Sequence, residues 1–353
     1  SAVGLPPGLS INTNTGEITG TPVTTGDTSV TITVEGTNAT DAVRSDTAAI
    51  TVRVSDPSLY PYKMDITLSG FTGSTTLNDF PALIDFHQGL TITGGASANF
   101  SYNTFLSPTA ADLRFFGSDG QELSYEIESW DTLGHSRVWV NVPSIVSSLT
   151  ESDARILATQ LGLQLGGGGS DFAGSYGTKG LYAYTSGSYQ GMAFFGTGGT
   201  QAQMLAPVSP PKYRPAPVIT AVWGNAQDAL APDYVFDGSA WSNDFEATWH
   251  FTSEVAGSFV DSSPSTNHAV GNGATVNEAG NIGPAASFDG STWADVPYTP
   301  ALNGNAFTIT AWANRTSGSG VHAALISSRD EPQSGYIIYS QGGKYQFWTG
   351  PGW

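Results

Sequence analysis

The chain has 353 residues, with 43 Gly, 20 Pro, no Cys and a formal charge of −18. That length suits two or three domains, and the lack of Cys excludes disulfides, zinc–thiolate sites and Cys nucleophiles. So acidic a surface argues against nucleic acid and anionic membranes as partners, and no apolar run approaches the roughly 18 residues of a membrane span.

Charged residues make up only 12% of the chain, and Thr and Ser recur along its apolar-alternating stretches. This is the profile of a β-rich secreted protein, so an all-β fold of tandem β-sandwich modules is expected. The first stretch to carry specific information is Gly4-Leu5-Pro6-Pro7-Gly8-Leu9-Ser10-Ile11, followed by Asn12-Thr13-Asn14-Thr15-Gly16 and Ile18-Thr19-Gly20-Thr21-Pro22. Pro-Pro-Gly and Asn-Thr-Gly are turn sequences that bracket two very short apolar strands. The stretch resembles the cadherin-like immunoglobulin modules that bacteria string along secreted and surface proteins. It begins four residues into the chain, so the module (residues 1–56) is expected to lack its first strand. Alternation of Val30, Ile32 and Val34 with Thr31 and Thr33, and of Ile50, Val52 and Val54 with Thr51 and Arg53, predicts its remaining strands.

A second unit, residues 57–240, opens at Tyr60-Pro61-Tyr62-Lys63 with Met64, Ile66 and Leu68 on one face. Strands are predicted at 82–86, 113–116, 123–127 and 137–142, with Asp119-Gly120 as a hairpin turn. The phrases Asp112-Leu113-Arg114-Phe115, Leu123-Ser124-Tyr125-Glu126-Ile127-Glu128-Ser129-Trp130-Asp131 and Val138-Trp139-Val140-Asn141-Val142-Pro143 resemble a bacterial extracellular family of unknown function. Its closing phrase returns late, as Val218–Val222 and Trp223-Gly224-Asn225. Between them, at about 150–217, lies an insertion. Ile156, Leu157, Gln160 and Leu161 predict a helix over 151–165 capped by Ser152-Asp153, and Gly166–Gly169 reads as a flexible break. A hairpin or loop elaboration follows, and Pro210–Pro217 is expected to be extended.

The third unit, residues 241–353, contains Phe245–Phe251, Asp261-Ser262-Ser263, Ala286–Gly290 and Phe307–Trp312 in the order found in laminin-G-like, concanavalin-type jelly rolls, which it resembles. Against that family it is expected to be C-terminally incomplete.

Three groups of residues are candidates for chemistry. Glu126, Glu128 and Asp131 resemble the carboxylate strand of jelly-roll glycoside hydrolases, and an i, i+2 pair shares one strand face roughly 6.5–7 Å apart. A retaining mechanism needs two carboxyls about 5 Å apart. The alternation Tyr125-in, Glu126-out, Ile127-in, Glu128-out accounts for the same residues without catalysis, with both Glu side chains in water, so no catalytic residue is assigned. For metal, the laminin-G-like resemblance implies Ca²⁺ at Asp261, Asn267 and Asp289, although Asp and Asn also stabilise turns unaided. For carbohydrate, Trp312 and Trp293 are candidates to stack on sugar rings, while Trp130 and Trp139 read as core markers. The five His residues are scattered without a zinc-type pair.

These readings converge on an extracellular, secreted or cell-surface, non-catalytic segment of a bacterial multidomain protein. Its expected role is structural and adhesive, with carbohydrate or neighbouring surface proteins as partners. The alternatives are an accessory region of a secreted polysaccharide-degrading enzyme, or a filament subunit self-assembling by strand addition at open sandwich edges.

Overall fold

The computed structural model describes all residues except 25, 38–42, 69–76, 96–98, 118–119, 146–149, 201–211, 214–217, 317–321, 331–333 and 351–353. It is nearly all β, arranged as several separate sheets, with a single α-helix at Glu151–Gln160 among the described residues. Asp119, Trp353 and most of Pro210–Pro217 lie outside the described residues.

In the first fifty-odd residues, the long strands Gly26–Thr37 and Val43–Val54 pair antiparallel, with Val30 opposite Ile50. Val30 is fully buried. The Pro-Pro-Gly motif forms a separate hairpin, Leu9–Ile11 with Ile18–Gly20, closed by Asn12, whose Oδ1 accepts from the N–H groups of Asn14 and Thr15. Gly8 and Gly20 both have positive φ and pack backbone to backbone. A Cβ on Gly8 would meet Thr21 O at 2.1 Å, and one on Gly20 would meet Gly8 O at 2.1 Å. The motif therefore needs glycine at both places. The expected gap at the first strand is partly filled. Ala2–Val3 pairs with Ile32 and Thr31 as a two-residue edge strand, shorter than the usual five or six.

The second unit is a sandwich. One sheet runs Tyr62–Thr67, Val218–Trp223, Arg114–Phe116, Glu122–Leu123; the other runs Leu77–His87, His135–Ile145, Tyr125–Ser129. All neighbours are antiparallel. Their inner faces enclose one core that includes Met64, Ile84, Phe86, Phe100, Phe115, Tyr125, Val138, Val140, Ile219 and Trp223. The strands predicted at 82–86, 113–116 and 137–142 agree with this arrangement, while the one predicted at 123–127 is split at Ser124, where the chain passes from one sheet to the other. The strands Arg114–Phe116 and Val218–Trp223 are neighbours, so the insertion leaves the sandwich and returns to it.

Within the insertion, the helix starts at Glu151 and stops at Gln160, short of the predicted end. Residues 152 and 153 are helical positions of its first turn and not the N-cap, since the helix begins at Glu151 and the Ala154 N–H donates to Thr150 O. Gly162, at φ +68, turns the chain out of the helix. Leu157, Ala154 and Ala158 pack on Leu181, Ala193 and Phe195 of a small sheet built on the hairpin Gly180–Tyr184 and Met192–Gly196. The four glycines 166–169 are not a slack break. All have positive φ, and two of them lie close against side chains: a Cβ on Gly167 would meet Met192 Sδ at 2.5 Å and one on Gly168 would meet Tyr189 Cε1 at 2.6 Å.

Beyond residue 241 the chain forms a four-stranded sheet ordered Trp249–Val255, Ser258–Asp261, Ala269–Asn272, Trp293–Asp295. A two-stranded pair, Thr275–Ala279 with Pro284–Ser287, and a three-stranded sheet, Ala323–Asp330, Ser334–Gln341, Lys344–Thr349, complete it. The expected strand Phe307–Trp312 carries no ladder hydrogen bonds. Instead Phe307 packs on Tyr336 in a tilted pair, with ring centres 4.7 Å apart, and Arg315 donates to Ser340 O at 3.1 Å.

Candidate functional site

The outer face of the sheet containing Tyr125–Ser129 holds the densest charged cluster beside the third unit. Tyr125 is fully buried towards the sandwich core, so alternation sends Glu126 and Glu128 to the opposite face, where Glu126 pairs across the ladder with Trp139. That face is not in water. The Glu128 side chain is 3% exposed and Glu126 23%. The expectation that both carboxylates are solvated is thus corrected, and Trp139 is a contact of this outer face, not of the core.

Four segments cover the face. The turn Ser239–Trp241 is held by Asn141, whose Nδ2 donates to Ser239 O at 3.2 Å and Ser242 Oγ at 3.0 Å. Trp241 Nε1 donates to Glu126 Oε2 at 2.5 Å, and Ser262 Oγ donates to Glu126 Oε1 at 2.6 Å. His250, on the strand Trp249–Val255, places Nε2 3.3 Å from Glu126 Oε2 and Nδ1 against Glu128 Oε2. Trp139 Nε1 donates to Glu128 Oε2 at 2.9 Å. Gly283 approaches so closely that a Cβ there would meet Glu128 Oε1 at 2.9 Å.

The electrostatics follow from this geometry. Burial alone would lower the His250 pKa, but hydrogen bonds and charge from Glu126 and Glu128 outweigh it and push it up to about 9. Burial raises the Glu126 pKa, and the contacts of His250, Ser262 and Trp241 overcome that and leave it lowered. An imidazolium between two carboxylates, roofed by two indoles, binds the strands after residue 241 to the second unit. Asp131 takes no part in the cluster: its Oδ1 accepts from the Leu133 N–H within its own turn.

A second buried cluster faces the other way. The Arg114 side chain is 0% exposed, and its Nη2 donates to Asp228 Oδ1 at 2.6 Å and Leu230 O at 2.6 Å, while Nη1 donates to Leu113 O at 2.6 Å. Asp228 Oδ1 also accepts from Arg53 Nη1 at 2.5 Å, and Asp228 Oδ2 from the Tyr60 hydroxyl. Glu122 accepts from the hydroxyls of Ser55 and Tyr234. Arg53 and Ser55 belong to the end of the first module, so this cluster joins it to the second unit. The consecutive strands Glu122–Leu123 and Tyr125–Ser129 therefore supply carboxylates to both neighbours.

The Ca²⁺ candidates do not form a cradle. Asp261 is buried, and four protein donors fill its carboxylate: the N–H groups of Thr248 at 2.7 Å, Ser263 at 2.8 Å and Asn267 at 2.7 Å, and Ser263 Oγ at 2.9 Å. Donor hydrogens converging on both oxygens leave no acceptor set for a cation. Asn267 meets Asp261 through its backbone, and its Nδ2 donates to Glu246 O. Asp289 closes a separate exposed turn by accepting from Ser291 N and Oγ, each at 2.8 Å. Among the described residues no group of three His, Asp or Glu is placed to hold a metal.

Trp312 is 74% exposed and Trp293 52% exposed. Trp293 Nε1 donates to Asp295 Oδ2 at 2.7 Å, which fixes the ring beside the strand Trp293–Asp295. Sequence reasoning missed His250, Trp241, Ser262 and the Arg114–Asp228 pair. One signal was available: a strand pair carrying two Glu and a Trp on its outer face is poorly suited to bulk water.

Two stretches match family models. Residues 1–55 match the family described as Putative Ig domain, and residues 109–158 match Domain of unknown function (DUF2341). The first covers the Pro-Pro-Gly hairpin and both long strands; the second covers Arg114, Glu122, Glu126, Glu128 and Trp139. Neither match supports the laminin-G-like resemblance of the third unit. No curated protein and no solved structure matches the chain.

Proposed function

We propose that this chain is a non-catalytic, load-carrying segment of a bacterial cell-surface or secreted multidomain protein. One observation carries the reading. The second unit is joined to its neighbour on each side by a buried charged cluster, Arg53–Asp228–Arg114 towards the first module and Glu126–His250–Glu128 towards the third unit. Charges buried at a junction hold only one geometry well, because misalignment leaves a desolvated carboxylate unpaired. A spacer that presents a distal surface at a set distance and angle requires this property. The Ig-like family match supports an extracellular setting, and no described helix is long and apolar enough to cross a membrane.

The adhesive end of the reading rests on Trp312 and Trp293, both more than half exposed. Solvent-facing indoles stack on the apolar faces of sugar rings, so carbohydrate is the ligand class. Glycan-array binding by the full chain tests this. Binding that falls at least tenfold in Trp312→Ala supports carbohydrate adhesion; absence of binding to any glycan sinks it and leaves the spacer role alone. The spacer role is tested separately by small-angle scattering, where Asp228→Ala is expected to broaden the distribution of maximum dimensions.

A further inference from the structure

Both ring nitrogens of His250 face carboxylate oxygens, Nε2 towards Glu126 at 3.3 Å and Nδ1 towards Glu128. A neutral imidazole has one N–H and one lone pair, so it can satisfy only one of these carboxylates and must turn its lone pair to the other. An imidazolium donates to both. The groups around the ring are few. The strand Tyr125–Ser129 presents Glu126 and Glu128; the strand His135–Ile145 presents the Trp139 indole; the turn Ser239–Trp241 presents the Trp241 indole; and the turn after Ser258–Asp261 presents the Ser262 hydroxyl to Glu126. Neither indole nor hydroxyl titrates near neutrality. Among the described residues no Lys or Arg forms an ion pair with either carboxylate, so His250 supplies the cluster's positive charge.

We infer that His250 is a charge-operated tie between the second unit and the strands after residue 241, released when the imidazolium loses its proton in alkali. With the proton, one positive charge sits between two negative ones and every oxygen facing the ring has a donor. Without it, the ring can donate to only one carboxylate and turns a lone pair on the other, which keeps one indole N–H but no positive charge beside it. The cheapest relief is separation of Trp249–Val255 from Tyr125–Ser129, which lets water reach Glu128. The core of the second unit lies on the other face of the sheet containing Tyr125–Ser129 and is unaffected. Release would also expose Trp139 and Trp241, whose ring centres lie 5.1 Å apart under the cluster. The raised pKa of His250, about 9, agrees with this geometry and places the tie in its closed state at neutral pH.

The test is a titration of the full chain from about pH 6 to 10, following the His250 ring resonances by NMR and tryptophan emission in parallel. His250 is expected to titrate well above the ordinary histidine value, with a red shift of tryptophan emission at the same midpoint. Glu128→Gln is expected to lower both midpoints by about one pH unit. His250→Gln is expected to show the red-shifted emission at every pH, with far-ultraviolet dichroism unchanged. A His250 midpoint near 6.5 overturns the inference, as does an emission step that Glu128→Gln does not move. Should His250→Gln fail to fold, the wild-type and Glu128→Gln titrations still decide the matter.

Discussion

The backbone N–H of Gly224 donates to Asp112 Oδ2 at 2.9 Å, across 112 positions of sequence. Asp112 is fully buried, and its carboxylate also accepts from the N–H groups of Leu106 at 3.0 Å and Ser107 at 3.2 Å. One side chain thus pins the loop before the strand Arg114–Phe116 and the exit of Val218–Trp223. Gly224 sits at φ +88, where a Cβ would meet Tyr62 Cδ2 and Pro61 Cγ at 2.9 Å each.

Asp112→Ala removes the acceptor of three partly buried N–H groups. It is expected to destabilise the second unit by about 2–3 kcal/mol, since a buried donor left unsatisfied costs roughly 1–3 kcal/mol and these three are only partly shielded from water. Gly224→Ala should cost about 1–3 kcal/mol through strain at positive φ and the contact with Tyr62. Urea unfolding followed by tryptophan fluorescence measures both; a change below 0.5 kcal/mol in Asp112→Ala would contradict the pinning role.

These contacts explain which parts of the fold were legible. The phrases around Asp112 and Trp223-Gly224 could be read as parts of one unit, and strand periodicity put Met64, Ile66 and Leu68 on one face and Tyr125 and Ile127 inside, where Met64 and Tyr125 are buried and the others pack against the core. Periodicity distinguishes the two faces of a strand but not what covers the outer one. Glu126 and Glu128 were therefore assigned the correct face and the wrong environment. Their partners His250 and Ser262 lie more than 120 residues away, with no local pattern to link them. Phe307–Trp312 has strand-forming residues yet no ladder, because propensity records fit to a pleated surface and does not supply a neighbour.

Arg114 anchors the other junction with five polar contacts that use the planar fork of its guanidinium. Arg114→Ala is expected to cost about 3–5 kcal/mol, because it strands Asp228 and Glu122 without their buried partner. Arg114→Lys should recover little of this, since one ammonium cannot reach Ala111 O, Leu113 O, Leu230 O and Asp228 together. Thermal melts of the three proteins decide it; full rescue by Lys would show that charge alone matters at this place.

The Gly8–Gly20 contact makes a prediction confined to the first module. Gly8→Ala would place a methyl group 2.1 Å from Thr21 O at a φ of +96, so the hairpin must open. Amide exchange of Leu9–Ile11 and Ile18–Gly20 is expected to become at least tenfold faster, while the second unit's core amides keep their protection. Uniform acceleration across both units would instead mean that the modules unfold as one.

Acid should loosen the junction at Glu126 from the opposite direction to alkali. Burial works against ionisation of this carboxylate, but the donors His250, Ser262 and Trp241 leave its folded pKa below the ordinary value of 4.5. A group whose folded pKa is depressed contributes stability that is present above the unfolded pKa and lost as pH falls through the folded one. The contribution is therefore complete at pH 6 and fades below about 4.5. Glu126→Gln retains an acceptor for Trp241 or Ser262 but gives up its charge beside His250. Its stability is expected to be lower than that of the wild type at pH 6, with the two curves converging as pH falls towards about 3. Urea midpoints at pH 3, 4, 5 and 6 measure this. A wild-type advantage that stays constant down to pH 3 would place the acid-sensitive group elsewhere.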